Sequence, residues 1–308
     1  SVFNGTVALH LALLTLGIGE GDEVIVPDIT YIASANAVKY VGATPILVDV
    51  SKDDWNITLD EIKRAYNKNV KAIIVVDIYG TKPKELKLIS KFAKGNDLFI
   101  VQDASESLGS TYEGHQVGHY ADITTLSFFG NKTITTGEGG MVLTDNKELH
   151  EKVQVLKNQG NSETIRYFHD VLGYNYRMTN IQAAIGCSQI EIIDEILVNK
   201  KRIADCYRDH LEGLVEFQKI DDNRTSSYWL ISVILNSDRG VLEEHLNNLG
   251  IETRPFFNPI SSMPFYQSYD NTNSYYLSKK GICLPSYPQL ENSDIKYICD
   301  KIKEGIGK

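Results

Sequence analysis

The sequence is poor in cysteine, and its four cysteines stand far apart, at Cys187, Cys206, Cys283 and Cys299. No C-x-x-C pair or histidine-rich segment accompanies them, so the spacing that is typical of a metal centre is missing. A chain of 308 residues can bury enough apolar surface to fold without disulfide bonds. We therefore expect no metal, and we interpret the cysteines as reduced thiols of a cytoplasmic protein.

Long hydrophobic runs are missing as well. No stretch approaches the ~20 apolar residues that a membrane span requires, and no secretory signal peptide is visible. No G-x-G-x-x-G motif follows the first predicted strand, which argues against a Rossmann dehydrogenase. The chain begins with serine, and its first residues already resemble the middle of a domain, so we expect that a preceding segment is absent.

Positive charge is in deficit, because 31 Lys and Arg residues face 40 Asp and Glu residues, for a formal net charge of -9. A surface of this sign argues against nucleic acid or an acidic membrane as the main partner. It still permits one local cationic site for a phosphate group.

What the first half does contain is a regular alternation of short apolar runs and helical patterns. Predicted strands cover residues 23–27, 44–50, 71–77, 98–103, 123–128 and 140–144. Most of these runs are apolar throughout, which indicates a mainly parallel sheet that is buried on both faces, in an α/β fold. Ligands bind such sheets at the carboxyl ends of the strands, so polar residues at strand ends are the candidates for a site.

The pattern changes after residue 145. Residues 179–214 form one long helical pattern, and residues 215–308 combine a β-like stretch with helices at 241–249 and 293–304. We therefore predict a large α/β domain over residues 1–190 and a small α+β C-terminal domain over residues 191–308. The long helix would join them.

Lys132 lies in the segment SFFGNKTITTGEGG at positions 127–140, between a predicted strand and a turn rich in glycine and threonine. A lone lysine in a polar loop is normally solvated surface. Here the turn lets the backbone approach a ligand closely. Burial in such a place would lower the pKa of the Lys132 amine toward the range that nucleophilic, Schiff-base chemistry requires.

Three weaker signals accompany Lys132. Asp103 ends a predicted strand, where it would either cap a helix or hold a protonated ring nitrogen. Gly5 and Thr6 open a helix, which is compatible with plain capping or with an anion site formed by N–H groups and a hydroxyl. Tyr31 follows another strand, where its ring would either pack in the core or stack on a flat cofactor.

In this order along one α/β domain, these signals match a known family. The chain resembles the DegT/DnrJ/StrS sugar aminotransferases, enzymes that depend on pyridoxal 5′-phosphate (PLP) and have the aspartate aminotransferase fold, fold type I. The resembling segments span nearly the whole chain. They are NGTVALHLAL (4–13), VIVPDITYIASANAV (24–38), PILVDV (45–50), QDASESLGS (102–110), LSFFGNKTITTGEGGMVLT (126–144), GYNYRMTNIQAAIG (173–186) and GIETRPFF (250–257).

The resemblance implies roles for particular residues. Lys132 would be the Schiff-base lysine and general base, and Asp103 would be the partner of the pyridine nitrogen. The other implied contacts of PLP are Gly5, Thr6 and Ser127 at the phosphate, Tyr31 on the ring face and Glu106 beside the cofactor. Asn175 would reach the PLP phosphate of the other subunit, which implies a homodimer with shared active sites.

The resemblance also implies a substrate. The motifs are most similar to those of the 4-aminotransferases that make perosamine, which move an amino group from L-glutamate to GDP-4-keto-6-deoxymannose. The alternatives are the relatives that make viosamine on a dTDP-sugar and a PLP-binding homologue without transaminase activity. The family's 3-dehydratases carry histidine at the lysine position, so Lys132 argues against that chemistry.

The segment RPFFNPISSMPFY at 254–266 combines a cation, aromatic residues and prolines. This composition is unfavourable for a helix or a central strand. The segment is either a rigid surface loop or a loop that closes over the nucleotide sugar. In the second case Arg254 would face a carboxylate or phosphate, and Asn258 and Tyr266 would offer hydrogen bonds to sugar hydroxyls.

Overall fold

The computed structural model describes residues 1–307. The first half contains a six-stranded sheet with the strand order β2-β1-β3-β4-β5-β6. The strands are β1 (Glu23–Pro27), β2 (Thr44–Val48), β3 (Val70–Val76), β4 (Phe99–Asp103), β5 (Ile123–Ser127) and β6 (Gly140–Leu143). Strands β1 to β5 run parallel, and β6 pairs antiparallel with β5. The prediction of a mainly parallel sheet is confirmed.

Helices cover both faces of this sheet. They are α1 (Gly5–Thr15), α2 (Ala33–Tyr40), α3 (Leu59–Ala65), α4 (Leu86–Gly95) and α5 (Lys147–Leu156). Because side chains alternate along a strand, Val24 and Val26 of β1 pack in a cluster with Leu9 of α1, whereas Ile25 packs with Ile89 of α4. This burial on both faces explains why the strands are apolar throughout.

The segment predicted as one long helix is two helices, and that prediction is wrong. They are α6 (Asn180–Ile190) and α7 (Ile193–Leu211). The i→i−4 ladder breaks at Ile192, whose N–H bonds to the Gln189 carbonyl three residues back. The two helices also have different surroundings, since α7 buries an apolar face and α6 does not. Within residues 1–307, no helix is both long enough and apolar enough to cross a membrane.

A second, antiparallel sheet has the strand order β7-β8-β10-β9. Its strands are β7 (Val215–Phe217), β8 (Ile231–Leu235), β9 (Arg254–Pro255) and β10 (Gly281–Leu284), with helices α8 (Arg239–Asn248), α9 (Thr272–Lys280) and α10 (Asn292–Ile306). Its core contains Tyr207 of α7, Val233 of β8 and Ile302 of α10. The α+β character predicted for the C-terminal part is present. The domain boundary at residues 190 and 191 stays a prediction.

Two carboxylates at the ends of parallel strands hold the segment 260–274 of the second half. Asp28 follows β1 and accepts hydrogen bonds from Ser261 N–H (2.7 Å), Ser261 Oγ (2.6 Å) and Asn271 Nδ2 (2.9 Å). Asp49 follows β2 and accepts from Ser274 N–H and Ser274 Oγ, each at 2.8 Å. The two sheets are therefore joined by buried side chains as well as by the chain.

Candidate active site

A cavity of about 380 Å³ lies at the carboxyl ends of the parallel strands, between the two halves of the structure. Most of the residues predicted from the sequence line it, namely Gly5, Thr6, Tyr31, Asp103, Glu106, Ser127, Lys132 and Arg254. Strand ends of a parallel sheet meet at one edge, which is why residues so distant in sequence come together.

Lys132 is positioned by the loop between β5 and β6. The Lys132 N–H donates to the Phe129 carbonyl (2.9 Å), and the Thr136 N–H donates to the Phe128 carbonyl (2.9 Å). The hydroxyl of Thr135 also donates to the Phe128 carbonyl, at 3.2 Å. These internal bonds give the loop a defined shape, and it turns the Lys132 side chain into the cavity with 12% of that side chain exposed.

The Lys132 amine faces a buried carboxylate. Its Nζ lies 3.9 Å from Oε1 of Glu106, and the other oxygen of Glu106 accepts the N–H of Tyr79 at 2.6 Å. Burial lowers the pKa of Lys132, and the negative charges of Glu106 and Asp103 oppose that lowering. Burial raises the pKa of Glu106, and Lys132 opposes that rise. A lowered pKa favours the uncharged amine, which is the form that acts as nucleophile and base.

Asp103 ends β4 with its carboxylate held in place. Ser34 Oγ of α2 donates to Oδ2 at 2.7 Å, and the Ser105 N–H donates to Oδ1 at 3.2 Å. No helix begins at Asp103 in the part of the chain that the structure describes, because turns follow the strand. The carboxylate is therefore not a helix cap. Asp103 and Lys132 line the same cavity.

The first turn of α1 also lines the cavity. The Asn4 side chain accepts the Val7 N–H at 3.0 Å, and Gly5 and Thr6 line the cavity at the positive end of the helix dipole. Gly5 packs so closely on β5 that a Cβ there would lie 2.8 Å from Cβ of Ser127. Glycine is therefore required, and the turn is open to an anion.

Aromatic rings form one wall of the cavity. The rings of Tyr79 and Phe257 stack with centroids 5.5 Å apart, and those of Tyr79 and Trp229 with centroids 6.4 Å apart. Tyr31 contacts Phe257 at 6.0 Å between centroids and is otherwise open, with 57% of its surface exposed. A flat ligand can therefore lie against the Tyr31 ring.

Three predicted residues do not line this cavity. Asn175 and Asn258 are exposed, and Asn258 accepts a bond from Ser278 Oγ at 3.4 Å. The Tyr266 hydroxyl donates to Oδ1 of Asn36 at 2.7 Å, so its ring packs on α2. Their roles toward sugar or phosphate stay predictions.

Two further residues that line the cavity, Tyr79 and Trp229, were not predicted from the sequence. Tyr79 follows the end of β3, so the strand-end rule applied to β3 would have found it. Its N–H reaches Glu106 from a backbone with φ of 55°, a conformation that tyrosine rarely adopts. Trp229 comes from the second half, and no local pattern marks it.

Comparison with known proteins gives one consistent result. A model of the DegT/DnrJ/EryC1/StrS aminotransferase family matches residues 1–303. The chain is 47% identical over 308 residues to the GDP-perosamine synthase of Escherichia coli O157:H7, with 99% of this chain and 84% of that protein aligned. It is 42% identical over 314 residues to the GDP-perosamine synthase of Vibrio cholerae, with 98% and 85% aligned. A putative sugar aminotransferase from Streptococcus pneumoniae, solved in its PLP form, superposes with a TM-score of 0.93 at 28% identity, covering 99% of this chain and 86% of that one.

Proposed function

Because the chain belongs to the DegT/DnrJ/EryC1/StrS aminotransferase family, we propose that it moves an amino group from L-glutamate to the C4 keto group of a GDP-linked 4-keto-6-deoxyhexose. The observation that carries this proposal is the Lys132 amine in the strand-end cavity, beside Glu106. Two relatives that are GDP-perosamine synthases support the choice of GDP as the nucleotide.

The residues at the first turn of α1 fit the phosphate group of PLP. An anion needs donors and positive potential, and the first turn of α1 offers both. Thr6 and Ser127 also line the cavity, and Ser127 lies against this turn at Gly5. Because a Cβ at Gly5 would meet Ser127, the approach of backbone to phosphate depends on that glycine.

Other residues that line the cavity fit the ring of PLP. Asp103 would hold the protonated ring nitrogen, Tyr31 would cover the ring face, and Lys132 would bond to the aldehyde carbon. Bound PLP acts as an electron sink, which stabilises negative charge on the carbon that loses its proton. The fixed carboxylate of Asp103 favours the protonated nitrogen that this chemistry needs.

Lys132 would move the protons of both half-reactions. Once the amino group of glutamate replaces Lys132 on the aldehyde carbon, the freed Nζ would take the proton from Cα of glutamate and pass it to the cofactor. After the keto sugar replaces 2-oxoglutarate, Nζ would carry a proton from the cofactor to C4 of the sugar. The amine must be uncharged to accept a proton, and burial lowers its pKa in that direction. Because the first product leaves before the sugar enters, ping-pong kinetics are expected.

We also propose that the active form is a homodimer with shared sites. Large apolar side chains are exposed around α6 and the loop before it: Leu172 has 85% of its surface exposed and Ile181 77%. Exposed apolar surface of this extent is typical of protein–protein interfaces. Asn175 lies in the same region, where it could reach a neighbouring cavity.

We propose a cytoplasmic location on the basis of the thiols. Cys187 is exposed, Cys206 is partly buried, and Cys283 and Cys299 are buried, and all four are unpaired in the described residues. Free thiols of this kind are usual in reducing compartments. Fractionation of the native host, with the protein detected by antibody, tests the location.

One assay tests the substrate. The protein is incubated with PLP, glutamate and either GDP- or dTDP-4-keto-6-deoxyhexose, and the products are identified by mass spectrometry. We expect an amino sugar from the GDP compound. Amination of the dTDP compound alone would favour the viosamine-type alternative. No amination by protein that has bound PLP would indicate a homologue without transaminase activity.

A further inference from the structure

Lys200 is a buried amine that the proposed reaction does not use. It lies on α7 with 5% of its surface exposed, and burial lowers its pKa to about 7. Its Nζ donates to the carbonyls of Trp229 (2.8 Å) and Ser286 (2.5 Å) and approaches Ser286 Oγ at 3.4 Å. Lys200 therefore holds two backbone segments, one before β8 and one after β10.

The first of these segments contains Trp229, whose indole ring covers the Lys132 amine. The Trp229 ring centroid lies 3.7 Å from Nζ of Lys132, and Trp229 Nε1 donates to the Asn131 carbonyl at 2.7 Å. The backbone of Trp229 thus contacts Lys200, while its side chain contacts Lys132 and the residue before it. An ammonium over an indole face is attracted to it, and this attraction depends on geometry.

The backbone before Trp229 is held under strain. Tyr228 has a φ of 50°. On one side, the Ser227 N–H donates to the Gly80 carbonyl (3.1 Å), and Ser227 Oγ donates to the Glu106 carbonyl (2.7 Å). Strained residues persist only where their surroundings over-determine them. Lys200 supplies the contact on the other side of Tyr228.

We propose that Lys200 is a positioning residue for Lys132, acting through Trp229. The Lys200 amine fixes the Trp229 carbonyl, the indole is thereby held against the loop at Asn131, and the ring limits the directions in which the Lys132 amine can point. Lys200 touches neither the reacting atoms nor the proposed cofactor site, so its effect is on orientation.

The first test uses Trp229 as a fluorescent reporter in cofactor-free protein. Trp55 and Trp229 are the two tryptophans of the chain, so Trp55→Phe leaves Trp229 alone. We expect its emission to change with pH as Lys132 titrates. Because the Lys200 amine, which contacts the Trp229 carbonyl, also titrates, the amplitude is taken as the part of the change that Lys132→Ala removes in each background compared. Adding Lys200→Met should lower the amplitude by roughly half or more, because the indole no longer stays over the amine.

Lys82→Met is the matched control. Lys82 is also buried and also donates to a backbone carbonyl, that of His115 at 3.0 Å, but it does not contact Trp229. It should leave the Trp229 amplitude unchanged. Lys200→Arg keeps donors for the two carbonyls and should restore part of the amplitude that Lys200→Met loses.

An unchanged amplitude in Lys200→Met, with a native circular dichroism spectrum, overturns the proposal. If Lys200→Met does not fold, Lys200→Gln decides, because its shorter amide cannot hold both carbonyls. A reduced amplitude in Lys200→Gln supports the proposal, and an unchanged amplitude overturns it.

The second test is kinetic and rests on the proposed function. Lys200→Met should lower kcat roughly 10- to 100-fold while the PLP content and the KM for glutamate stay near wild type, because misorientation affects the chemical step. An unchanged kcat overturns the proposal. If the wild-type protein shows no transamination, the proposed function fails, and the fluorescence test still decides the role of Lys200.

Discussion

The amine nitrogen of Lys132 lies 3.9 Å from Oε1 of Glu106, and both side chains are shielded from solvent. Each group opposes the effect that burial has on the pKa of the other, so the two titrate as a pair. The Tyr79 N–H fixes the second oxygen of Glu106. When Lys132 accepts a proton during turnover, the negative charge of Glu106 therefore stabilises the ammonium group that forms in the buried cavity.

Lys132→Ala should reduce transamination by ~10³-fold or more, because nucleophile and base are lost together. PLP should still bind, since Asp103, Thr6 and Ser127 would hold it without the covalent bond. The measurements are single-turnover kinetics and cofactor content after gel filtration. Lys132→Arg keeps the charge near Glu106 and should be equally inactive; substantial turnover in either variant would contradict the role of Lys132.

Asp103→Asn should lower kcat far more than it lowers PLP occupancy. A neutral amide does not stabilise a protonated ring nitrogen, so the electron sink weakens. Absorbance spectra and kcat, measured on the same preparation, test this expectation. Ser34→Ala, which removes one hydrogen bond to Asp103, should have a smaller effect. A wild-type rate in Asp103→Asn would rule out the ring-nitrogen role.

The stability of the protein should decrease as the pH rises from 4 to 6, because of Asp77. Burial raises the pKa of this carboxyl from 3.8 to about 6, although Gln102 and Ser107 donate hydrogen bonds to it. Within this pH range the folded state therefore binds more protons than the unfolded state. The free energy of unfolding should fall with rising pH, by up to about 3 kcal/mol.

Asp77→Asn should remove this contribution, so the difference between its urea-unfolding free energy and that of the wild type should vary with pH between 4 and 6 and level off above. Parallel curves for the two proteins would show that Asp77 ionises normally.

Ile181→Asp should convert the protein into monomers and lower its activity strongly, because a charge replaces an apolar side chain at the centre of the proposed interface. Sedimentation velocity measures the change. Leu88→Asp on α4, where 52% of the leucine is exposed, is the control and should leave the oligomeric state unchanged.

Mixing Lys132→Ala chains with Asn175→Ala chains should restore partial activity, because some mixed dimers would contain one site that is wild type at both positions. No gain in activity over either parent would exclude shared sites.

Arg254→Ala should raise the KM for one of the two substrates roughly 10-fold or more, as expected for loss of a charge-assisted hydrogen bond. Arg254 lines the cavity from β9 with its side chain about half exposed, and it pairs with Glu252 at 3.8 Å. PLP content should not change. Glu252→Ala frees the guanidinium and should have little effect; equal KM values in Arg254→Ala and wild type would indicate a surface role.

The sequence predicted those site residues that lie at the ends of neighbouring strands. Asp103 and Ser127 end adjacent parallel strands, so their proximity follows from sheet geometry alone. Trp229 reaches the site from the second half, and Lys200 holds the Trp229 carbonyl from behind. Both positions depend on how the two sheets pack, which no local periodicity encodes. The break at Ile192 was missed for a related reason, since both α6 and α7 have helical sequences and only their different packing separates them.

The hydrogen bonds that Asp28 accepts from Ser261 and Asn271 cross between the two halves. Pulling the halves apart would break these bonds and would also expose a shared apolar cluster, in which Trp55 and Tyr79 of the first half pack with Phe256 of the second. The halves should therefore melt in one cooperative calorimetric transition. Cleavage of the chain between α6 and α7 should yield two fragments that remain associated.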